Sequence, residues 1–143
     1  MRSTRFTALR ESGRRIGTVG LGAAAVLGLV AAPAQAASWS SSLSGVGPGY
    51  ESRRWYDSGG STIIKFTGCS NDGSVRSTSV VLRKDTVGPD PYYVKASFTQ
   101  CHVSSTSTST GTWTDHGSGD YYFAVNDSVT GLRLWVKSLT VSY

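Results

Sequence analysis

Alternating apolar and polar residues, interrupted by turn residues, run through the middle of the chain. In residues 62–67, Ile64 and Phe66 fall on one side of the backbone and their neighbours fall on the other, which is the period of a β-strand. Residues 75–84 alternate in the same way, and an Asn-Asp-Gly turn signal at 71–73 separates the two runs. The pattern predicts consecutive strands of an antiparallel sheet.

Residues 92–101 form the most regular of these runs. The side chains predicted to share one face are those of Tyr92, Val94, Ala96 and Phe98. Cys101 has the parity of the opposite face. We therefore expect either a bulge before Cys101 or a disulfide at the margin of the sheet and not inside it.

The chain has two cysteines, Cys69 and Cys101. In an exported protein they favour a single disulfide; two free thiols are the alternative. A closed loop of about 33 residues stabilises the fold by roughly 3.5–4 kcal/mol in the chain-entropy model. The two cysteines and two histidines lack the close paired spacing of a zinc site, so we expect no metal.

The C-terminal part of the chain alternates as well. Residues 112–115 and 120–125 are predicted strands around a glycine-rich hairpin turn at 116–119, and residues 126–131 predict another turn. Residues 132–143 are the last predicted strand, and their apolar parity switches at Lys137-Ser138, as a β-bulge would make it.

Two further segments complete the set of strands. Residues 50–56 are a candidate first strand, and the Ser/Thr run at 104–110 is either a loop or an edge strand. About seven short strands, with no helical period after the first 36 residues, predict an all-β fold, a small antiparallel β-sandwich with one disulfide.

The first 36 residues have the composition of an export signal. Five arginines precede an apolar run at 16–32, and residues 33–36 end in an Ala-x-Ala cleavage motif. A retained membrane anchor is the alternative, but glycines interrupt the run. Arg14-Arg15 leaves twin-arginine export open beside an ordinary secretory signal. We expect cleavage after Ala36, an extracellular location and no membrane span afterwards.

Cleavage changes the charge of the protein. The whole chain has 14 basic and 9 acidic residues, a net charge of +5. The leader holds five Arg and one Glu, so the remaining 107 residues carry 9 basic and 8 acidic residues, a net charge of +1. Since nucleic-acid binding needs a basic face on the mature domain, we expect no nucleic-acid partner.

The segment after the leader, residues 37–49, is rich in serine and glycine. Its isolated apolar residues are Trp39, Leu43 and Val46. Such a segment buries too little apolar surface to order itself. We therefore predict a flexible arm over 37–49, followed by a single β-sandwich domain over 50–143.

Little in the chain indicates catalysis. Asp115, His116, Ser118 and Asp120 are the residue types of a hydrolase triad, but they lie on one glycine-rich turn. Neighbours on such a turn are not held in triad geometry. Acidic residues elsewhere fall in turns, without the spacing of a calcium loop. We expect no enzymatic activity and no cofactor.

The aromatic residues carry a stronger signal for binding. Trp135 shares its face with Arg133 and Lys137, and Trp55 follows two arginines on a candidate edge strand. Aromatic residues beside arginine are favoured at protein interfaces, and aromatic platforms also stack on sugar rings. The predicted ligand-facing aromatics are Trp113, Tyr122 and Trp135; packing within the sandwich is the alternative for each.

We therefore expect a secreted binding module. In the first hypothesis the arm docks into a groove or sheet edge of another secreted protein. The predicted partner-binding residues are Trp39, Leu43, Val46, Tyr50, Arg53, Arg54 and Trp55. The alternatives are a module that binds polysaccharide or cell wall through the ligand-facing aromatics, and a small inhibitor that presents a rigid loop near the disulfide to a hydrolase.

The layout of the chain resembles that of small secreted actinobacterial proteins. The resemblance is carried by a leader ending in AQA, a Ser/Gly segment, a single cystine and the closing stretch GTWTDHGSGDYYFAVND followed by LRLWVKSLTVSY. Among these proteins, the adaptor subunit of umbrella toxin particles is similar in layout. That family joins a lectin-like subunit to a large toxin-bearing subunit. The resemblance implies an antibacterial toxin complex, with residues 39–50 as the segment inserted into the lectin-like partner.

Overall fold

The computed structural model describes residues 36–125 and 132–143. They form eight strands, β1 (Ser38–Val46), β2 (Trp55–Asp57), β3 (Thr62–Asn71), β4 (Thr78–Asp85), β5 (Ala96–Phe98), β6 (Thr108–Trp113), β7 (Gly119–Val125) and β8 (Leu134–Ser142), and one 3₁₀ helix, Gln100–His102. Within these residues, no helix has the length and apolar character needed to cross a bilayer. The predicted all-β fold is confirmed.

The strands form two four-stranded antiparallel sheets. The first sheet has the order β1-β8-β3-β6 and the second has the order β2-β7-β4-β5. Buried side chains from both sheets form one hydrophobic core. The molecule is therefore the small β-sandwich that the sequence predicts, with eight strands where about seven were expected.

The alternation in β3 produces the expected division between core and solvent. Ile64 and Phe66 are fully buried, whereas Lys65 between them is exposed. Phe66 meets Phe98 and Phe123 edge to face, with ring centroids 4.9 and 5.6 Å apart. Each such pair adds about 0.5–1.5 kcal/mol beyond its burial. These contacts join the first sheet to β5 and β7 of the second.

The prediction of a flexible arm over residues 37–49 is wrong. Most of this segment is β1, which pairs with β8 and forms an edge of the first sheet. Trp39 pairs with Val141 and Leu43 pairs with Val136; Trp39 and Leu43 are 9% and 5% exposed. The segment has few apolar residues of its own, but β8 supplies both the hydrogen-bond partners and the apolar neighbours. This tertiary contribution is invisible in the local composition.

The prediction of one regular strand over residues 92–101 is also wrong. β5 covers only Ala96–Phe98, and an isolated bridge joins Tyr92 to Arg83. Val80 pairs with Ala96. Val80 and Arg83 are three residues apart on β4, whereas their partners Ala96 and Tyr92 are four residues apart. The segment 92–96 therefore contains one extra residue, a β-bulge, and Tyr92 and Ala96 point to opposite faces of the sheet. Tyr92 therefore points outward and is 74% exposed.

Residues 116–119 do not form the predicted hairpin turn. The strand before them, β6, pairs with β3 in the first sheet. The strand after them, β7, pairs with β2 and β4 in the second sheet. The segment is therefore a crossover between the two sheets. The Ser/Thr run at 104–110 was predicted to be either a loop or an edge strand. It is a loop at its start and then enters the edge strand β6.

The predicted change of parity in β8 is confirmed. Its buried residues are Leu134 and Val136 on one parity, then Leu139 and Val141 on the other. The neighbouring strand β3 changes parity at the same level, around Gly68. Gly68 has a φ of +65°, a conformation that glycine adopts without strain.

The predicted disulfide between Cys69 and Cys101 is present. Cys101 lies in the 3₁₀ helix beyond β5, so the parity of a continuous strand does not apply to it. Cys69 is 7% exposed and Cys101 is fully buried, and both belong to the core. Of the two expected alternatives, the bulge before Cys101 is present, between Tyr92 and Ala96. The other alternative, a disulfide at the margin of the sheet, is wrong, because the disulfide ties β3 to the 3₁₀ helix within the core.

Two predictions fall outside the described residues. These are the export signal, of which only its last residue, Ala36, is described, and the turn at 126–131. The candidate first strand at 50–56 is described, and it is shorter than predicted. Only Trp55–Asp57 is a strand, while Glu51 forms an isolated bridge to Ala124.

Candidate functional site

The aromatic residues predicted to bind a partner are part of the core. The ring of Trp39 stacks on Phe123, with centroids 6.4 Å apart, and lies 5.8 Å from the ring of Trp55. Trp55 is 4% exposed. The guanidinium of Arg53 covers the Trp39 ring at 4.8 Å. Neither tryptophan presents a ring face to a ligand, so their role is packing.

The other predicted partner-binding residues also have structural contacts. Leu43 is buried, and Val46 and Tyr50 are partly buried against the core. The carbonyl of Tyr50 accepts a hydrogen bond of 2.9 Å from the amide of Val125. The predicted set therefore belongs to the frame of the sandwich and not to a mobile docking segment.

Arg54 and Tyr122 belong to a polar cluster on the outer face of the second sheet. The guanidinium of Arg54 lies 4.0 Å from the Tyr122 ring centroid and forms ion pairs with Glu51 at 2.9 Å and Asp85 at 3.0 Å. These pairs cover Tyr122, which is 2% exposed. The phenol donates to Asp90 Oδ2 at 2.7 Å. Tyr122 is thus not the ligand-facing aromatic that was predicted.

The environment of Tyr122 and Asp90 changes their acidity. Burial, and then the bond to Asp90, raises the pKa of the Tyr122 phenol. The backbone amide of Thr86 donates to Asp90, and this bond, followed by the one from Tyr122, lowers the pKa of the carboxyl. The cluster holds the loop that follows β4 against the sheet.

Trp113 is the second predicted ligand-facing aromatic that the structure buries. It is 4% exposed, and its indole Nε1 donates to the carbonyl of Val94 at 2.7 Å. The ring also closes over Gly111, where an added methyl group would lie 2.6 Å from Cη2. Its indole therefore fixes the residues that precede β5 and is not open to a sugar.

Trp135 is the one tryptophan with an open ring. All four tryptophans lie in the described residues, and only Trp135, at 37%, exposes more than a tenth of its surface. Its indole rests on Gly45 of β1, where an added methyl group would lie 3.5 Å from Cζ2. Arg133 Nη1 donates to the carbonyl of Gly45 at 2.9 Å, so β1 supports both side chains.

A cleft of about 590 Å³ opens beside Trp135. Its lining residues are Ser42, Leu43, Gly68, Cys69, Ser70, His102, Ser104, Ser105, Trp135, Val136 and Lys137. Four of these residues are serines, which carry hydroxyl groups, and they line the cleft together with one aromatic ring and the ammonium-bearing side chain of Lys137. A pocket with an apolar surface and a few convergent polar groups is the usual form of a small-ligand site.

The paired parity change in β3 and β8 builds this cleft. At Gly68, an added Cβ would lie 2.7 Å from the carbonyl oxygen of Ser105, so the loop before β6 approaches the backbone there. The loop is held by Ser104, whose hydroxyl lies 2.7 Å from that of Ser107. Cys69, one half of the disulfide, also lines the cleft. Part of the cleft lining is therefore fixed by covalent and hydrogen-bonded structure.

The turn with hydrolase-type residues is held by other interactions. The His116 ring stacks on Tyr93 with centroids 3.6 Å apart. Asp115 Oδ1 accepts from the amide of Gly117 at 2.7 Å, and backbone bonds from Gly117 and Gly60 lower the pKa of this carboxyl. Asp115 and His116 are thus both engaged in fixing the crossover, which is a structural role.

One group of described residues has the proximity of a metal site. Candidate ligand atoms of Cys69, Cys101 and His102 lie within 4.8 Å of one another. The two sulfurs are joined in the disulfide, and a metal binds the thiolate form of cysteine. His102 Nε2 lies 3.0 Å from Thr78 Oγ1. The group is a covalent and hydrogen-bonded core element.

A second surface was missed by reading the sequence. Tyr92 and Val94 are 74% and 83% exposed beside a cleft of about 580 Å³ lined by Val81, Arg83 and residues 92–95. The bulge before β5 turns these side chains outward, and no local pattern marks the bulge. For the Trp135 cleft a signal was present, since the parity of β8 places Trp135 and Lys137 on the outer face.

Comparison of the chain with models of protein families, with curated proteins and with solved structures gives no significant match. The fold and the candidate site are therefore described from the structure of this chain alone.

Proposed function

We propose that the protein is a secreted, non-enzymatic binding module that holds a sugar unit of a polysaccharide against Trp135. The observation that carries the proposal is the exposed indole at the rim of a hydroxyl-lined cleft. The apolar face of a pyranose ring can cover the indole, which removes apolar surface from water. Hydroxyls of Ser42, Ser70 and Ser105, which also line the cleft, provide hydrogen-bond partners for the sugar hydroxyls.

Secretion is part of this proposal. It is supported by the arginine-rich, apolar leader with its Ala-x-Ala motif and by the disulfide, which persists in oxidising compartments. An extracellular binding module meets polysaccharide and cell wall directly.

The test is depletion of the protein by insoluble polysaccharides and cell-wall preparations. Trp135→Ala is expected to reduce the bound fraction. Tyr92→Ala is the matched control, because it removes an exposed aromatic residue that lies beside β4, away from the Trp135 cleft. Equal depletion of the Trp135 variant and the wild type, or no depletion of the wild type by any preparation, contradicts the proposal.

A second candidate function is binding of another secreted protein at the surface formed by Tyr92 and Val94. Two large exposed apolar side chains support it, and Arg83 and Lys95 beside them favour a partner with acidic residues around an apolar contact. This surface, and not the residues 37–49, is where we place the adaptor role suggested by the resemblance to umbrella toxin particles.

Affinity capture from the culture supernatant tests this second function. Val94→Glu places a carboxylate in the apolar surface and is expected to abolish capture of the partner. Thr112→Glu, an exposed position on the first sheet, is the control. Unchanged capture by the Val94 variant excludes this surface as the docking site.

A further inference from the structure

The four strands of the first sheet contain no aspartate or glutamate, and all four lie in the described residues. The strands of the second sheet contain three aspartates. The charged residues in the first sheet are Lys65 and Lys137, both exposed. The first sheet therefore presents only positive charge, although residues 37–143 carry a net charge of only +1.

The register aligns the two lysines with Trp135 on the outer face. Lys65 of β3 pairs with Thr140 of β8 and with Thr110 of β6. Lys137 lies three residues before Thr140 on β8, and Trp135 lies two residues before Lys137. At a rise of about 3.4 Å per residue, Trp135 and the level of Lys65 are roughly 17 Å apart along the sheet. A single monosaccharide does not span this distance, whereas a chain does.

Hydroxyl groups fill the surface around the lysines. In successive cross-strand rows, Ser40 lies beside Thr140, with hydroxyl oxygens 3.4 Å apart, and Thr67 lies beside Thr108, with oxygens 2.7 Å apart. Such a surface can donate to and accept from the hydroxyls of a sugar chain. The four strands themselves place no carboxylate in this surface; the nearest acidic residue in sequence, Asp72 beyond the end of β3, accepts a bond from the amide of Arg133.

We propose that the ligand of this protein is an acidic polysaccharide that extends from the Trp135 cleft, past Lys137, to Lys65. The inference rests on the proposed saccharide site at Trp135 and adds two properties, the negative charge of the ligand and its extended length. The sugar ring at Trp135 supplies the stacking contact, and carboxylates on the neighbouring units lie near the two ammonium groups.

The test compares polygalacturonate with its fully methyl-esterified form, which has the same backbone without the charge. Wild-type protein is expected to bind the acid polymer more tightly in affinity electrophoresis. Lys65→Gln and Lys137→Gln are each expected to weaken this binding roughly twofold to fivefold, the range of exposed ion pairs. Lys95→Gln, an exposed lysine outside the first sheet, is the control. Salt of about 1 M, where the Debye length is about 3 Å, should remove the preference.

The outcomes separate the inference from the proposed function. If both polymers bind equally, the proposed negative charge of the ligand is wrong and the saccharide site stands. The same holds if the two lysine variants bind like wild type while Trp135→Ala binds more weakly. If a galacturonate trimer binds as tightly as the polymer, the extended length is wrong. If Trp135→Ala binds both polymers like wild type, the proposed function fails. Binding of neither polymer, or equal binding of single-stranded DNA, overturns the inference.

Discussion

Truncation of Trp39 tests whether residues 37–49 belong to the core or form an arm. Trp39 is 91% buried, from its exposure of 9%. A tryptophan buries about 150–250 Å², and at about 25 cal/mol per Å² this corresponds to roughly 3–6 kcal/mol. The direct range for Phe or Trp to Ala in cores is about 3–5 kcal/mol. We therefore expect Trp39→Ala to lose about 3–5 kcal/mol of unfolding free energy.

The assay is urea unfolding followed by far-UV circular dichroism. Ser44→Ala is the control, because Ser44 is an exposed residue of the same strand, and surface substitutions change stability by about 0.5 kcal/mol or less. A loss of 3–5 kcal/mol is a large part of the 5–15 kcal/mol typical of a domain, so a Trp39 variant that fails to fold also agrees with the prediction. A Trp39 variant as stable as Ser44→Ala would refute the assignment of this segment to the core.

Three further predictions concern the frame of the sandwich. Replacing Cys69 and Cys101 by Ser is expected to lower the unfolding free energy by about 3.7 kcal/mol in the chain-entropy model for the 32-residue separation. The folded fraction should keep the circular dichroism of β-strands. An unchanged midpoint of urea unfolding contradicts this prediction. Gly68→Ala is expected to lower the melting temperature, because φ is +65° and the new methyl group meets the backbone of the facing loop, whereas Gly47→Ala meets nothing within 4 Å; equal melting temperatures contradict this. The folded-state pKa of Asp90 lies below the usual 3.8, so its contribution to stability is present above pH 3.8 and is lost as the pH falls through the lowered pKa. Asp90→Asn should therefore be less stable than wild type at neutral pH and equally stable in strong acid; a constant difference from neutral to acid pH contradicts this.

The parts of the fold that the sequence predicted are those set by local alternation. The buried faces of β3 and β8, including the parity change at Lys137-Ser138, follow from which residues are apolar. The disulfide follows from the presence of two cysteines in a chain for which an export signal is predicted. The position of Cys101 did not follow, because the strand before it ends at Phe98 and a 3₁₀ helix intervenes.

The other errors have one cause, which is that non-local pairing was not visible. β1 is a strand because β8 lies beside it, and the pairing with β8 cannot be inferred from the composition of residues 38–46. Tyr92 is exposed because one residue bulges between it and Ala96, where the pattern alternates without a break. The partition of tryptophans between core and surface depends on the same pairing. Hence Trp135 was predicted together with Trp113, although only Trp135 is open.

Whether the indole of Trp135 holds a sugar is measured by the affinity of Trp135→Ala for the polysaccharide that retains the wild-type protein. Trp135 is 37% exposed, and a sugar that covers this exposed surface removes about 55–90 Å² from water, if the whole residue has about 150–250 Å². At about 25 cal/mol per Å², this is roughly 1.4–2.3 kcal/mol, or about a tenfold to fiftyfold change in Kd. We expect Trp135→Ala to lose affinity by this factor and Tyr92→Ala to keep the wild-type Kd. An unchanged Kd for a folded Trp135 variant would exclude the sugar site at Trp135.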